Sequence, residues 1–236
     1  FSQYWGAPLQ LNPALTGLFS KNIRVNANYR NQWIQFNSFT TYSASVDANI
    51  FRDKLKGNFI GLGLAFYQEL AAESAFKNTG GNFSFAYNKL LESKHLKHHL
   101  SFGFNATYNI REVNLRDVVY GNLYEKNDNY DLINLDSYAN KTFMDAGLGV
   151  NYLLNIKGKQ MISVGFSANN LLEQRKDYGS YEDASLYRKF SLNLSGEFLL
   201  KQKIALIPLL LFQSQGPHTE LSFGTYGKYI LNERKN

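Results

Sequence analysis

From Leu100 to Ile110 the chain alternates without a break. Leu100, Phe102, Phe104, Ala106, Tyr108 and Ile110 fall on one side, and Ser101, Gly103, Asn105, Thr107 and Asn109 on the other. Successive side chains of an extended strand point to opposite faces, so this period of two predicts a strand with one apolar and one polar face. The pattern recurs along the chain. Met144, Ala146, Leu148, Val150 and Tyr152 oppose Asp145, Gly147, Gly149 and Asn151. Ile162, Val164, Phe166 and Ala168 oppose Ser163, Gly165, Ser167 and Asn169, and Phe190, Leu192, Leu194 and Phe198 oppose Ser191, Asn193, Ser195 and Glu197. Earlier, Ile23, Val25, Ala27 and Tyr29 alternate with Arg24, Asn26, Asn28 and Arg30, and similar runs cover 42–49, 60–66 and 83–88. Two late segments, about 204–212 and 219–230, are less regular. No stretch keeps a clean 3.6-residue period. The pattern predicts about ten strands of roughly 8–12 residues, long enough to cross a bilayer at a tilt.

The polar faces decide between two all-β architectures. A soluble sandwich turns long charged side chains to water. Here the polar faces are Ser, Asn, Gly and Thr, which suit a crowded, hydrated barrel interior with the apolar faces turned to lipid. The expected fold is therefore an all-β, antiparallel transmembrane β-barrel. Its connections are expected to alternate. The short ones are Phe51–Gly57, Leu91–His98, Asn155–Lys159 and Leu200–Lys203; the longer ones are Glu69–Gly80, Arg111–Lys141 and Asn170–Arg188, with the short Ser214–His218 as the exception. Outer-membrane barrels have short periplasmic turns and long external loops, which assigns the two sides.

Composition agrees with this and removes alternatives. The 236 residues are 44% hydrophobic, yet the longest apolar stretch, Ile204–Phe212, is far below the span of a membrane helix. The 18 Phe and 16 Tyr suit strands and interfacial girdles, and the absence of Cys excludes disulfide frameworks and thiolate metal sites. Phe1-Ser2-Gln3-Tyr4-Trp5 has no basic segment followed by an apolar run, so any export signal is expected to lie outside this sequence. The net charge of +6 does not gather into an aromatic-interleaved stripe, and a nucleic-acid partner is not expected. The basic residues sit instead in the short turns: Arg52, Lys54 and Lys56; Lys94 and Lys97; Lys157 and Lys159; Lys201 and Lys203. They read either as strand-end gatekeepers meeting anionic head groups of the bilayer, or as a basic ring that docks an acidic periplasmic partner.

Candidate chemistry is sparse. His95-x-x-His98-His99 has a spacing that metal sites use, but it falls in a predicted turn with no Cys and reads as a solvated basic turn. No Gly-x-Ser-x-Gly block is present, and no enzyme activity, metal or cofactor is expected. Gly61-Leu62-Gly63 and Gly147-Leu148-Gly149 do not open helices, so a phosphate-binding role is unsupported. Such small inward residues read as room for something inside the lumen. The Pro-containing, non-strand segment Phe1–Ala14 is the candidate, as a plug or as a cap on the periplasmic mouth. Among lumen-facing charges, Arg24, Arg30, Asp47, Asp145 and Glu197, a buried charge needs a partner, so Arg24 or Arg30 is expected to pair with Asp47. The Arg111–Lys141 loop, with Tyr120, Tyr124, Tyr130 and Tyr138 among Asn and Asp, reads as a surface docking site or as a lid over the barrel mouth.

The first 45 residues add a resemblance. Phe1-Ser2-Gln3-Tyr4, Pro8-Leu9, Leu11-Asn12-Pro13-Ala14 with Gly17, Arg24-Val25-Asn26-Ala27-Asn28-Tyr29-Arg30-Asn31-Gln32-Trp33, and Thr41-Tyr42-Ser43-Ala44-Ser45 with Asp47 resemble the opening of the PorP/SprF family. That family comprises outer-membrane proteins of type IX secretion and gliding motility. The resemblance implies an integral barrel that helps secrete or surface-anchor cargo carrying a C-terminal sorting domain. It also implies association with secretion-system or motor-linked components at the periplasmic face, and contact with the bilayer and lipopolysaccharide. Family chains run through further strands, which implies a complete barrel of 12 or 14. The expected organisation is an N-terminal periplasmic or lumenal segment, 1–22, followed by barrel, 23–236. The rival readings are a passive channel for a small or hydrophobic solute and a surface adhesin.

Overall fold

The computed structural model describes residues 4–32, 38–52, 54–71, 76–93, 96–113, 141–156, 160–172, 175–178, 181–201 and 203–230. Strand follows strand in chain order: β1 (Ile23–Gln32), β2 (Phe39–Ile50), β3 (Phe59–Ala71), β4 (Phe76–Ser93), β5 (Leu96–Val113), β6 (Lys141–Ile156) and β7 (Gln160–Asn169). A separate two-stranded hairpin, β8 (Arg175–Tyr178) and β9 (Tyr181–Ser185), intervenes. The sheet then resumes with β10 (Lys189–Lys201), β11 (Ile204–Gln215) and β12 (His218–Tyr229). Ten antiparallel strands thus form one sheet curled into a half-barrel. Among the described residues β1 and β12 form its two ends and do not pair with each other.

The two faces of the sheet are inverted relative to a water-soluble protein. Phe102, Phe104, Leu148 and Phe166 are 50%, 42%, 54% and 50% exposed on the convex face, while Ser84, Asn88, Ser101, Asn151 and Ser167 are buried on the concave one. Removing one large apolar side chain from water is worth about 1.5–3 kcal/mol. A face carrying dozens of aligned Phe, Leu, Val and Tyr side chains therefore belongs against acyl chains. Among the described residues no helix is long and apolar enough to cross a membrane.

One strand breaks the rule. β11 is apolar on both faces, because Ala205, Ile207, Leu209 and Leu211 point inward and are buried. This double-sided character explains why its alternation is weak in the sequence. Its pairing with β10 runs to Ser195↔Leu209 and resumes at Phe198↔Leu206, and Pro208, which has no N–H to donate, falls in the gap. The β11–β12 hairpin closes on two residues, with Gly216 at φ +57°, the positive φ that such tight turns demand at their first central position.

The connections differ from expectation in two places. β3 and β4 pair as far as Ala71↔Phe76, so only four residues separate strands where a long loop over 69–80 is expected. Tyr67, Glu69 and Asn78 look loop-like by polarity, but they line the inside of the wall, where Asn78 donates to Glu69 at 3.0 Å. Likewise β4 and β5 extend to Ser93 and Leu96. His98 and His99 are therefore strand residues with side chains on opposite faces rather than members of a turn. His98 meets Tyr152, and His99 packs against Phe59 at 5.7 Å between ring centroids. Adjacent strand residues cannot converge on one metal ion. Length asymmetry between the two ends of the sheet persists in the 114–140 connection and in the 170–188 segment that holds β8 and β9.

Candidate functional site: the filled lumen

The concave wall carries a belt of small residues. Reading across the register, Gly61 of β3 faces Ala86, then Gly103, Gly149, Ser167 and Ser191 follow on β5, β6, β7 and β10. A belt without side chains is a groove, and the N-terminal segment lies in it. That segment is a 3-10 turn, Tyr4–Gly6, a single α-turn, Pro8–Leu11, and a second 3-10 turn, Pro13–Leu15. Pro8 and Pro13 open their turns, where a missing N–H costs nothing and φ is already suitable. A Cβ on Gly103 would stand 2.2 Å from the backbone of Pro13 and Ala14, and one on Gly61 would stand 2.1 Å from the Thr16 carbonyl oxygen. The wall and the segment are in contact through backbone.

Asn12 is the hub. It is fully buried, and its Nδ2 donates to Val150 O (3.2 Å), Phe166 O (3.3 Å) and Asn193 Oδ1 (3.3 Å), sharing two protons among three acceptors on β6, β7 and β10. Its Oδ1 accepts from Ala14 N at 2.9 Å and so caps the second turn. Ser167 Oγ donates to Leu11 O at 2.8 Å. Leu11 and Leu15 complete the apolar patch that Ile207, Leu209 and Leu211 present on β11. At the start of the segment Trp5 stacks on Tyr226 of β12 at 6.1 Å, while Asn28 of β1 donates to Gly6 O at 2.8 Å. Two consecutive residues thus touch both end strands of the sheet.

The return of the segment to β1 is held by charge. Arg24 and Asp47 face each other in the β1–β2 register. Arg24 Nε donates to Asp47 Oδ1 at 2.9 Å, and Nη2 donates to Oδ2 at 2.7 Å and to Leu15 O at 3.1 Å. Asp47 Oδ2 also accepts Gly17 N–H at 2.8 Å. Arg30 lies further along β1, opposite Thr41. Asp145 accepts the N–H groups of Ala146 and Leu172 at 2.7 and 3.1 Å, and Glu197 pairs with Lys228 at 2.8 Å. Asp47→Ala is expected to cost about 3 kcal/mol, the low end for breaking a buried pair, because Arg24 keeps about a quarter of its side-chain surface exposed. Urea unfolding checks this, and Arg24→Ala combined with Asp47→Ala should cost less than the two separate losses added together.

The basic turn residues are dispersed. Arg52 bends inward, donating to Phe19 O at 3.0 Å with its guanidinium 4.3 Å from the Phe59 ring centroid. Lys54 and Lys56 are exposed, with Lys54 5.8 Å from the Phe51 ring centroid. Lys97 sits on β5 opposite Glu92 of β4. Lys94, Lys157, Lys159, Tyr120, Tyr124 and Tyr130 lie outside the described residues. Sequence reasoning overlooked Asn12 as a hub and Arg52 as a tie to the segment; the Gly-x-Gly pairs were the available signal for the groove.

Residues 1–233 match the family described as type IX secretion system membrane protein PorP/SprF. The chain belongs to the PorP/SprF family. No curated protein matches it. Membership makes it a component of type IX secretion, and with an all-β sheet it points to the outer membrane. PorP/SprF proteins belong to the membrane structure of the secretion system and are not a known enzyme family. Membership likewise implies dealings with other type IX components and with cargo. The Asn12-Pro13-Ala14 block that carries part of the resemblance is the block seated in the groove.

Proposed function

We propose that this PorP/SprF protein acts as a scaffold in the outer membrane, positioning secretion components and holding cargo that carries a C-terminal sorting domain. The filled lumen carries the reading. A conduit needs a continuous aqueous path, whereas here Leu9, Asn12, Ala14 and Thr16 are buried against the inner wall and tied to several strands. Such a segment stiffens the sheet at mid-height and leaves the two rims to do the recognition. On this reading the short-turn rim, with Lys54, Lys56, Lys94, Lys97, Lys157 and Lys159, meets acidic periplasmic partners by charge, while Arg52 is turned inward to the segment. The long external connection, with Tyr120, Tyr124 and Tyr130, holds exported cargo.

Purified protein in a planar bilayer is expected to conduct no more than the bare membrane, and removal of residues 1–17 should raise conductance. Deleting the gene should strip a defined set of sorting-domain proteins from the cell surface, as read by surface proteomics. Robust conductance by the intact protein with an unchanged surface proteome would instead establish a transport barrel.

A further inference from the structure

The inner wall is polar almost everywhere, yet at the short-turn end of β7, β10, β11 and β12 it is not. A half-open cavity of about 200 Å3 lies there under the N-terminal segment, lined by Trp5, Leu11, Leu15, Ile207, Leu209 and Tyr226. The Glu197–Lys228 ion pair stands at its side, and the wall beside it is the stretch where the β10–β11 ladder skips past Pro208. Leu11 and Leu15 bury Ile207 and Leu209 of β11, but Trp5 and Tyr226, on the same lining, stay 39% and 42% exposed. Apolar surface turned inward, away from lipid and facing a hydrated lumen, is unfavourable unless something covers it.

We infer that this cavity receives an apolar side chain of an acidic peptide segment belonging to a periplasmic partner. Size argues for one or two anchoring side chains, since pockets for whole small molecules run from about 300 to 1,000 Å3. Charge argues for acidic flanks. Glu197 is already neutralised by Lys228, and Lys203 is exposed in the adjoining β10–β11 turn. Ser195, also on the lining, offers a hydroxyl to a peptide backbone. The inference rests on the scaffold reading, because it names the chemistry of a periplasmic partner.

The test uses the full chain carrying Trp33→Phe, in neutral-lipid nanodiscs, so that Trp5 is the sole tryptophan and reports on the cavity wall. The probe is a synthetic peptide with a central Leu-Phe pair flanked by Asp and Glu. Saturable change in Trp5 emission is expected. Replacing the Leu-Phe pair by Ser should weaken binding by about tenfold or more, as for loss of a buried anchor. Ser195→Phe, which fills the cavity, should do the same. Lys203→Glu, which changes an exposed side chain and leaves the Lys203 carbonyl free to accept the Ile230 N–H, should weaken binding by about threefold to tenfold, and added salt should weaken it further. Equal binding of the Ser-substituted peptide, or no effect of Lys203→Glu, overturns the inference. So does saturable quenching of Trp5 by a brominated fatty acid where the peptide gives none, which would mark the cavity as a site for lipid tails. The surface proteome of the deletion strain tests the scaffold reading separately.

Discussion

Placing one methyl group on Gly103 is expected to unseat the N-terminal segment from the lumen. The new Cβ would come within 2.2 Å of Pro13 C and Ala14 N, and both are backbone atoms that cannot swing aside as a side chain can. Either β5 moves outward, straining its ladders with β4 and β6, or the segment lifts and gives up the Asn12 and Ser167 hydrogen bonds together. Both routes place Gly103→Ala at the upper end of overpacking costs, about 3 kcal/mol. Gly81→Ala supplies the comparison, because nothing lies within 4 Å of its added Cβ. Substitutions at such open sites fall within about 0.5 kcal/mol of neutral. Urea unfolding compares the two, and trypsin cleavage at Lys21 or Arg24 in the folded protein reads release of the segment. Gly61→Ala meets Thr16 in the same way, so combining it with Gly103→Ala should add little once the segment has already left. A Gly103→Ala protein as stable and as protease-resistant as Gly81→Ala would mean that the segment is not seated in the belt.

The alternation made the strands legible, because the sheet uses one simple rule over most of its length: apolar residues outward, small polar residues inward. Where the rule bends, legibility falls. β11 has apolar residues on both faces because its inner face covers Leu11 and Leu15, so no period of two survives there. The upper ends of β3 and β4 look like loop because Glu69 and Asn78 are polar, yet they bond each other inside the wall. Neither fact can be read from one strand alone; each depends on what another segment brings to the same place. The same holds for the groove. Gly61, Gly103 and Gly149 stand far apart in the chain and form a belt only when the register lines them up. By contrast, Arg24 and Asp47 are few in kind on neighbouring inner faces, so charge alone narrows the choice of partners. Between Arg24 and Arg30 only the register decides, and it sets Arg24 opposite Asp47.

Asn12→Asp exchanges a single NH2 for an oxygen, and its effect should exceed that of deleting the side chain. Asn12→Ala removes three donated contacts and one accepted one, leaving Ala14 N–H and the Asn193 carboxamide without their partner, a loss of about 2–3 kcal/mol. The carboxylate keeps the bond from Ala14 N but turns its second oxygen toward Val150 O, Phe166 O and Asn193 Oδ1, all of them acceptors. An ion facing acceptors in a buried site costs more than a cavity, and about 3–5 kcal/mol is expected at neutral pH. The sign of its pH dependence follows. Burial and the neighbouring oxygens raise the folded-state pKa of the new carboxyl above its unfolded value of about 3.9, so the folded protein binds the proton more tightly. The deficit of Asn12→Asp should therefore shrink as pH falls from neutral through that raised pKa, because the protonated acid regains an O–H donor for the Val150 or Phe166 carbonyl. Asn12→Ala, with nothing to titrate, should hold a constant deficit over the same range. Urea midpoints of the two variants measured against the parent at neutral and mildly acidic pH distinguish them. Parallel behaviour of the two variants would show that Asn12 does not face the three acceptors.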